Sequence, residues 1–238
     1  QPTIDTLSSF ITYMCHHLEP RSARTYLSGI VNELEPFYPS TREIRQSHLV
    51  TRTLKGSFRR FSSPLLHKQP LTRAHLLTIM DQTPRHITHD HLLFCAQVES
   101  GFFGLLRLGE LVWPDKVALR DFLKLSMRLS VVLTDDTYGF ELAREKADDR
   151  FEGNVVLIQH SELSPDPLTT FQQYLASRDQ RFPTHPQLWL RASGSVPTRS
   201  WFISMLHGFF PKSIAGHSMC AGGTTSLAAA GVPPDRIR

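Results

Sequence analysis

The sequence predicts a mainly α-helical protein with a small antiparallel β-sheet, an α+β chain built as two modules. Three observations carry that expectation. Apolar residues recur at helical spacing through residues 1–61. Residues 62–71, SSPLLHKQPL, hold two prolines and two serines and show no periodicity, which marks a linker. Beyond it, helical patterns alternate with short β-branched or alternating runs between positions 123 and 159.

Each element follows from its own signal. In residues 3–18, Ile4, Leu7, Phe10, Ile11 and Met14 fall close to a 3.6-residue period, and Pro20 ends the pattern. Residues 22–34 repeat it through Tyr26, Leu27, Ile30 and Val31, ahead of Pro36. Residues 41–61 form a third helical stretch, with a break expected near Gly56. The helical signal resumes over 73–80, with Thr72 as its N-cap. Residues 90–106 read as a buried helix. Residues 123–133, 138–142 and 154–159 read as strands, with TDDT at 134–137 turning between the first two. Residues 168–176 are amphipathic helix, 188–190 a short edge strand, and 198–210 a helix capped by Thr198 or Ser200. A last glycine-containing helix begins near His217 and ends at Gly231, and VPPDRIR opens another with proline in its first turn.

Composition narrows the function. The chain has 238 residues, 40% hydrophobic and 20% charged, an ordinary balance for a globular protein. Its longest apolar run, 92–106, is interrupted by Gln97 and Glu99 and falls short of a membrane span, so no membrane partner is expected. No basic-then-apolar leader opens the chain, and a first residue of Gln reads as a processed or trimmed terminus. Cys15, Cys95 and Cys220 are odd in number and lack metal-like spacing, which favours free thiols in an intracellular compartment.

The net charge of +4 is unevenly placed. Residues 1–70 hold nine Lys and Arg against five Asp and Glu, while the remainder is balanced. Between positions 42 and 60 lie Arg42, Arg45, Arg52, Lys55, Arg59 and Arg60 against the single acid Glu43. A basic surface confined to one module suits a polyanion, with nucleic acid the first candidate and a solvated helix face the plainer reading.

Three motifs lie in the second module. In GFFGLLRLGELVWPD, Arg107 sits in an apolar run, where an arginine needs a partner, and Glu110 stands three residues on, a spacing that lets the two share a helix face. The pair reads either as an internal ion pair or as an arginine held rigidly to grip an anion. In REKADDRFEGNVVLI, Lys146 lies between two predicted strands, within reach of a bound phosphate or simply exposed in a loop. In GHSMCAGG, His217 opens a helix whose free N–H groups favour a phosphate, and Cys220 shares its face. Gly222 and Gly223 each cost that helix about 1 kcal/mol relative to alanine, which implies close backbone packing or close approach of a ligand.

These motifs, in this order, resemble the catalytic domain of the tyrosine recombinases, the phage-integrase-like DNA breaking and rejoining enzymes, and are most similar to integrase-like proteins of fungal genomes. The resemblance implies a helical core-binding domain at 1–61, a linker at 62–71 and a catalytic domain at 72–238. GLLRLGEL is similar to the first arginine motif, with Arg107 as its arginine, and PTRSWFISMLHGFFP precedes the third motif in the expected place. REKADDRFEGN resembles the stretch with the catalytic lysine, at Lys146, and GHSMCAGG resembles the His-x-x-Arg motif, with His217 as its histidine. The resemblance implies attack by a tyrosine hydroxyl on a phosphodiester of double-stranded DNA, storing bond energy in a 3′-phosphotyrosine. Two arginines would clamp the phosphate oxygens, with lysine and histidine moving protons. It implies no metal and no cofactor, assembly of copies on DNA, and a nuclear address.

Two departures stand out. Cys220 occupies the second-arginine position, and a thiol cannot supply a bidentate cationic fork to phosphate. The tyrosine nucleophile and its helix would lie beyond Arg238, since Tyr13, Tyr26, Tyr38, Tyr138 and Tyr174 all precede His217. Without that exchanged helix a monomer is expected. The chain therefore reads as a recombinase with an incomplete catalytic centre, or as a non-enzymatic DNA-binding protein retaining the fold. A metal or redox protein is the weaker reading. His86, His89 and His91, and the His217 and Cys220 pair, give no four-ligand set at zinc spacing.

Overall fold

The computed structural model describes residues 1–64, 68–82, 87–142 and 154–236. The chain divides into two compact units, Gln1–Leu66 and His67–Arg238.

The described residues of unit 1 form the helices α1 (Ile4–His17), α2 (Pro20–Leu34), α3 (Thr41–Gln46) and α4 (His48–Phe61). Thr3 caps α1, accepting from the Thr6 N–H at 3.1 Å, while the Thr6 hydroxyl accepts from the Thr3 N–H at 2.8 Å. Pro20 is the first residue of α2, where its missing N–H costs nothing. Leu7, Ile11 and Cys15 on α1 and Ala23, Leu27 and Val31 on α2 repeat every four residues and meet Val50 of α4 in one core. The expected break at Gly56 is absent. The chain breaks instead at Ser47, whose ψ of 150° is extended, and α4 runs through Gly56. Nothing lies within 4 Å of where a Gly56 side chain would start, so the glycine costs backbone entropy but no packing. Burial of Val50 against α1 and α2 holds the helix across it.

Unit 2 is built around α6 (His89–Phe103), buried along most of its length from Leu93 to Phe102. It follows α5 (Arg73–Gln82) and leads into the single turn α7 (Leu108–Leu111). The sheet is β1 (Val132–Leu133), β2 (Thr137–Leu142) and β3 (Asn154–Gln159), antiparallel in that order, with Tyr138 opposite Ile158 and Phe140 opposite Val156. Tyr138, Phe140 and Ile158 face the core, and Tyr138 stacks on Phe171 of α8 (Pro167–Arg181) at 4.1 Å. The elements α9 (Arg199–Phe209) and α10 (Ser218–Ala229) complete the unit. Among the described residues no helix is long and apolar enough to cross a membrane.

Three local expectations change. Residues 123–133 are not one strand: 3₁₀ turns at Phe122–Lys124 and Arg128–Ser130 precede the two-residue β1, and Leu129 is left 94% exposed. Residues 188–190 form no strand either, because the buried Tyr174 hydroxyl captures their backbone. It donates to the Leu188 carbonyl at 2.8 Å and accepts from the Leu190 N–H at 2.8 Å. The last part of the expected linker packs within unit 2. Gln69 N–H donates to Ser213, Leu71 N–H donates to Ser218, and the Leu71 side chain is buried.

Candidate functional site

The site is assembled where α6 ends. Leu105 takes a left-handed φ of 54°, a conformation that costs a non-glycine residue about 1–2 kcal/mol and turns the chain sharply out of the helix. Arg107 follows in extended conformation as the N-cap of α7. Glu110 accepts from the Arg107 backbone N–H at 2.8 Å, and its other oxygen lies 3.8 Å from the guanidinium. The two therefore do not share a helix face. Glu110 fixes the backbone of Arg107 and leaves its side chain 63% exposed, while the carboxylate itself is only 16% exposed. Gln97, buried on α6, donates to the Leu111 carbonyl at 2.7 Å and sets the far end of the same turn. A buried glutamine in an apolar helix was the only sequence signal for it.

The start of α10 meets this turn through glycines. A Cβ added at Gly216 would lie 2.5 Å from a Leu108 methyl, so the residues after Arg107 and before His217 are in direct contact. Arg107 and His217, 110 positions apart in sequence, thus bracket one packing contact, and both side chains are exposed. Ser218 steadies the turn by accepting from the Ala215 N–H at 2.9 Å. Cys220 sits in the first turn of α10 and is half-buried. Gly222 and Gly223 are explained by backbone packing rather than by a ligand. A Cβ at the first would collide with the Leu71 carbonyl oxygen, and at the second with that of Phe102. Lys146 lies outside the described residues.

Neither tyrosine of unit 2 is placed to attack anything. Tyr138 and Tyr174 are buried, and burial raises both phenol pKa values above their ordinary range, though hydrogen bonds to Ser100 and Leu190 oppose the shift. Among the described residues no group of three or more His, Cys, Asp or Glu is placed to hold a metal. His86 lies outside them. His89 is buried between the Ser177 hydroxyl and the Leu190 carbonyl, and His91 contacts the Thr88 cap at 2.7 Å. Burial lowers the pKa of His89.

In unit 1 the six basic residues separate into two kinds. Arg42 pairs through two hydrogen bonds with Glu35, and Arg45 donates to the Ser28 hydroxyl at 2.7 Å. Arg52, Lys55, Arg59 and Arg60 are exposed on α4. At about 100° per residue, the first three fall within an arc of about 60°.

No family model matches the sequence, and no curated protein matches it. Solved structures do. XerH site-specific recombinase in a post-cleavage complex with palindromic difH substrate aligns at a TM-score of 0.62 and 13% identity, covering 100% of this chain and 64% of that one. A fragment of the Tn1549 transposon integrase with transposon right-end DNA aligns at 0.59 and 18% identity, covering 99% and 75%. The same integrase with circular-intermediate DNA aligns at 0.57 and 16% identity, covering 100% and 76%. The chain has the tyrosine-recombinase fold. It spans under two thirds of the XerH chain it resembles. Within this fold, a mainly helical body with a three-stranded antiparallel sheet, the turn after α6 and the start of α10 come together around Leu108 and Gly216.

Proposed function

We propose that the chain binds double-stranded DNA as part of a tyrosine recombinase whose phosphate-activating cluster is incomplete. One observation carries the reading: Arg107 and His217 are exposed on either side of the contact between Leu108 and Gly216, inside the tyrosine-recombinase fold. A guanidinium and an imidazole so placed can donate charge-assisted hydrogen bonds to the non-bridging oxygens of one phosphodiester. Lys146, carried on the segment before β3, takes the role of proton donor to the leaving 5′-oxygen. Cys220 stands one turn further along α10, where a second arginine would complete the clamp. Loss of one such donor costs about a hundred- to a thousand-fold in rate.

The attacking hydroxyl must come from elsewhere, since the tyrosines of unit 2 are buried and hydrogen-bonded. These 238 residues alone are expected to form no covalent adduct with a nicked suicide substrate. Supplying the nucleophile segment should give weak adduct formation, and adding Cys220→Arg should recover a large part of the rate. Equal rates with and without Cys220→Arg would remove position 220 from the phosphate.

A second reading is a DNA-binding protein without catalysis, which the thiol at position 220 favours. The adduct assay separates the two, because a non-catalytic protein would stay inactive even with the segment and Cys220→Arg together. The exposed row of Arg52, Lys55 and Arg59 on α4 supports a phosphate-facing surface in unit 1 under either reading.

A further inference from the structure

We propose a second phosphate-binding groove in unit 2, between the start of α5 and the end of β3, with Arg73 as its principal contact. The inference rests on the DNA-binding reading above and adds a site to it. The groove has a volume of about 340 Å³ and is lined by Arg73, Phe103, Ile158, Gln159, His160 and Ser161, among others.

Arg73 is placed to take an anion. Its guanidinium carbon lies 5.1 Å from the centre of the Phe103 ring, a cation–π contact that holds the planar fork. One Nη1 hydrogen is donated to the Ser161 hydroxyl at 3.2 Å, and no carboxylate forms an ion pair with it among the described residues. Among the described residues, four of its five N–H donors have no hydrogen-bond partner. Ser161 is itself locked: its hydroxyl donates to the Leu163 carbonyl at 2.8 Å. Asp166, which binds the Ser161 backbone, is already occupied. Asp166 accepts from the Ser161, Leu168 and Thr169 N–H groups and from the Thr169 hydroxyl, and pairs with the His160 ring at 3.1 Å. The Gln159 amide and the exposed edge of His160 add polar groups on the same wall.

Position ties this groove to the first site. Leu71, two residues before Arg73, donates its N–H to Ser218 and lies under Gly222. Phe102, one residue before Phe103, lies under Gly223. The groove therefore adjoins the two segments, around Leu71 and Phe102, that pack under Gly222 and Gly223 of α10. A DNA strand carries one phosphate per about 3.4 Å of its axis, so a strand held at Arg107 and His217 offers further phosphates to other cations of unit 2.

The test is binding to a defined duplex by fluorescence anisotropy across about 50–200 mM salt, for the wild type, Arg73→Gln and Arg73→Lys. Arg73→Gln should lower the slope of log affinity against log salt by about 0.9, one phosphate's worth, and Arg73→Lys should restore most of it. Because a variant could lose its fold, the wild type labelled with ¹⁵N-arginine supplies an independent readout. The Arg73 Nε–H resonance should shift as duplex is added. A steep wild-type slope with an unchanged Arg73→Gln slope, or an unmoved resonance at saturating duplex, overturns the groove and leaves the DNA-binding reading intact. A wild type with no salt-dependent binding overturns both.

Discussion

The basic face of α4 and the turn around Arg107 both present cations, but they are built on opposite plans. On α4, Arg52, Lys55 and Arg59 stand on an ordinary solvated helix whose far side packs through Val50, and none depends on another. At the second site, the exposed Arg107 is held by Glu110, by a Gln97 bond to the same turn and by the neighbouring Leu108 side chain packed on Gly216. A surface of the first kind contributes charge additively and tolerates replacement. A site of the second kind contributes position, and its weak points are residues that carry no charge at all.

That contrast sets the size of the expected effects. The largest should come from Gly222→Ala and Gly223→Ala, where the added carbon meets a backbone carbonyl that cannot swing aside. Each should cost about 3 kcal/mol, a fall in melting temperature of about 6–12 °C by calorimetry. Gly56→Ala on α4 should instead stabilise by up to about 1 kcal/mol, since open space surrounds it. Equal effects at the three glycines would erase the distinction between the regions.

The next effect, taken per pH unit, is a pH dependence confined to unit 2. Glu99 is buried on α6, and desolvation pushes its pKa up from 4.5 to about 8, with the Thr170 hydrogen bond opposing and Asp166 reinforcing. The folded state therefore holds a proton that the unfolded chain releases. The associated stability is fully present below about pH 4.5 and is lost as pH rises through about 8, at about 1.4 kcal/mol per pH unit between them. Urea unfolding of Glu99→Gln should lack this slope. A wild-type slope matching that of Glu99→Gln would show that Glu99 ionises freely.

Smaller effects belong to the charged face. Replacing Lys55, Arg59 and Arg60 together with glutamate should flatten the salt dependence of DNA binding, by about 0.9 in slope for each phosphate no longer neutralised, without a comparable loss of fold. Arg42→Ala should change the slope less than Lys55→Ala, because Arg42 is already paired with Glu35. A larger effect at Arg42 would mean that this pair opens on DNA.

The sequence by itself determined what depends on neighbours within one or two turns. The helical spacing of Leu7 and Ile11 and of Leu27 and Val31, the Thr72 and Thr198 caps and the glycine pair at 222 and 223 each act over a few residues. The mainly helical fold with its small sheet was legible for the same reason. Only the tertiary structure decided where β-like residues fail to pair, as at 188–190, because the competing partner is a hydroxyl on α8. It also decided which meaning of the glycines holds, since carbonyls of Leu71 and Phe102 approach them from far away in the chain. And it turned the pair of Arg107 and Glu110 from a shared helix face into a capped turn. A three-residue spacing limits which groups can meet, but the backbone conformation at Arg107 selects the atoms that do.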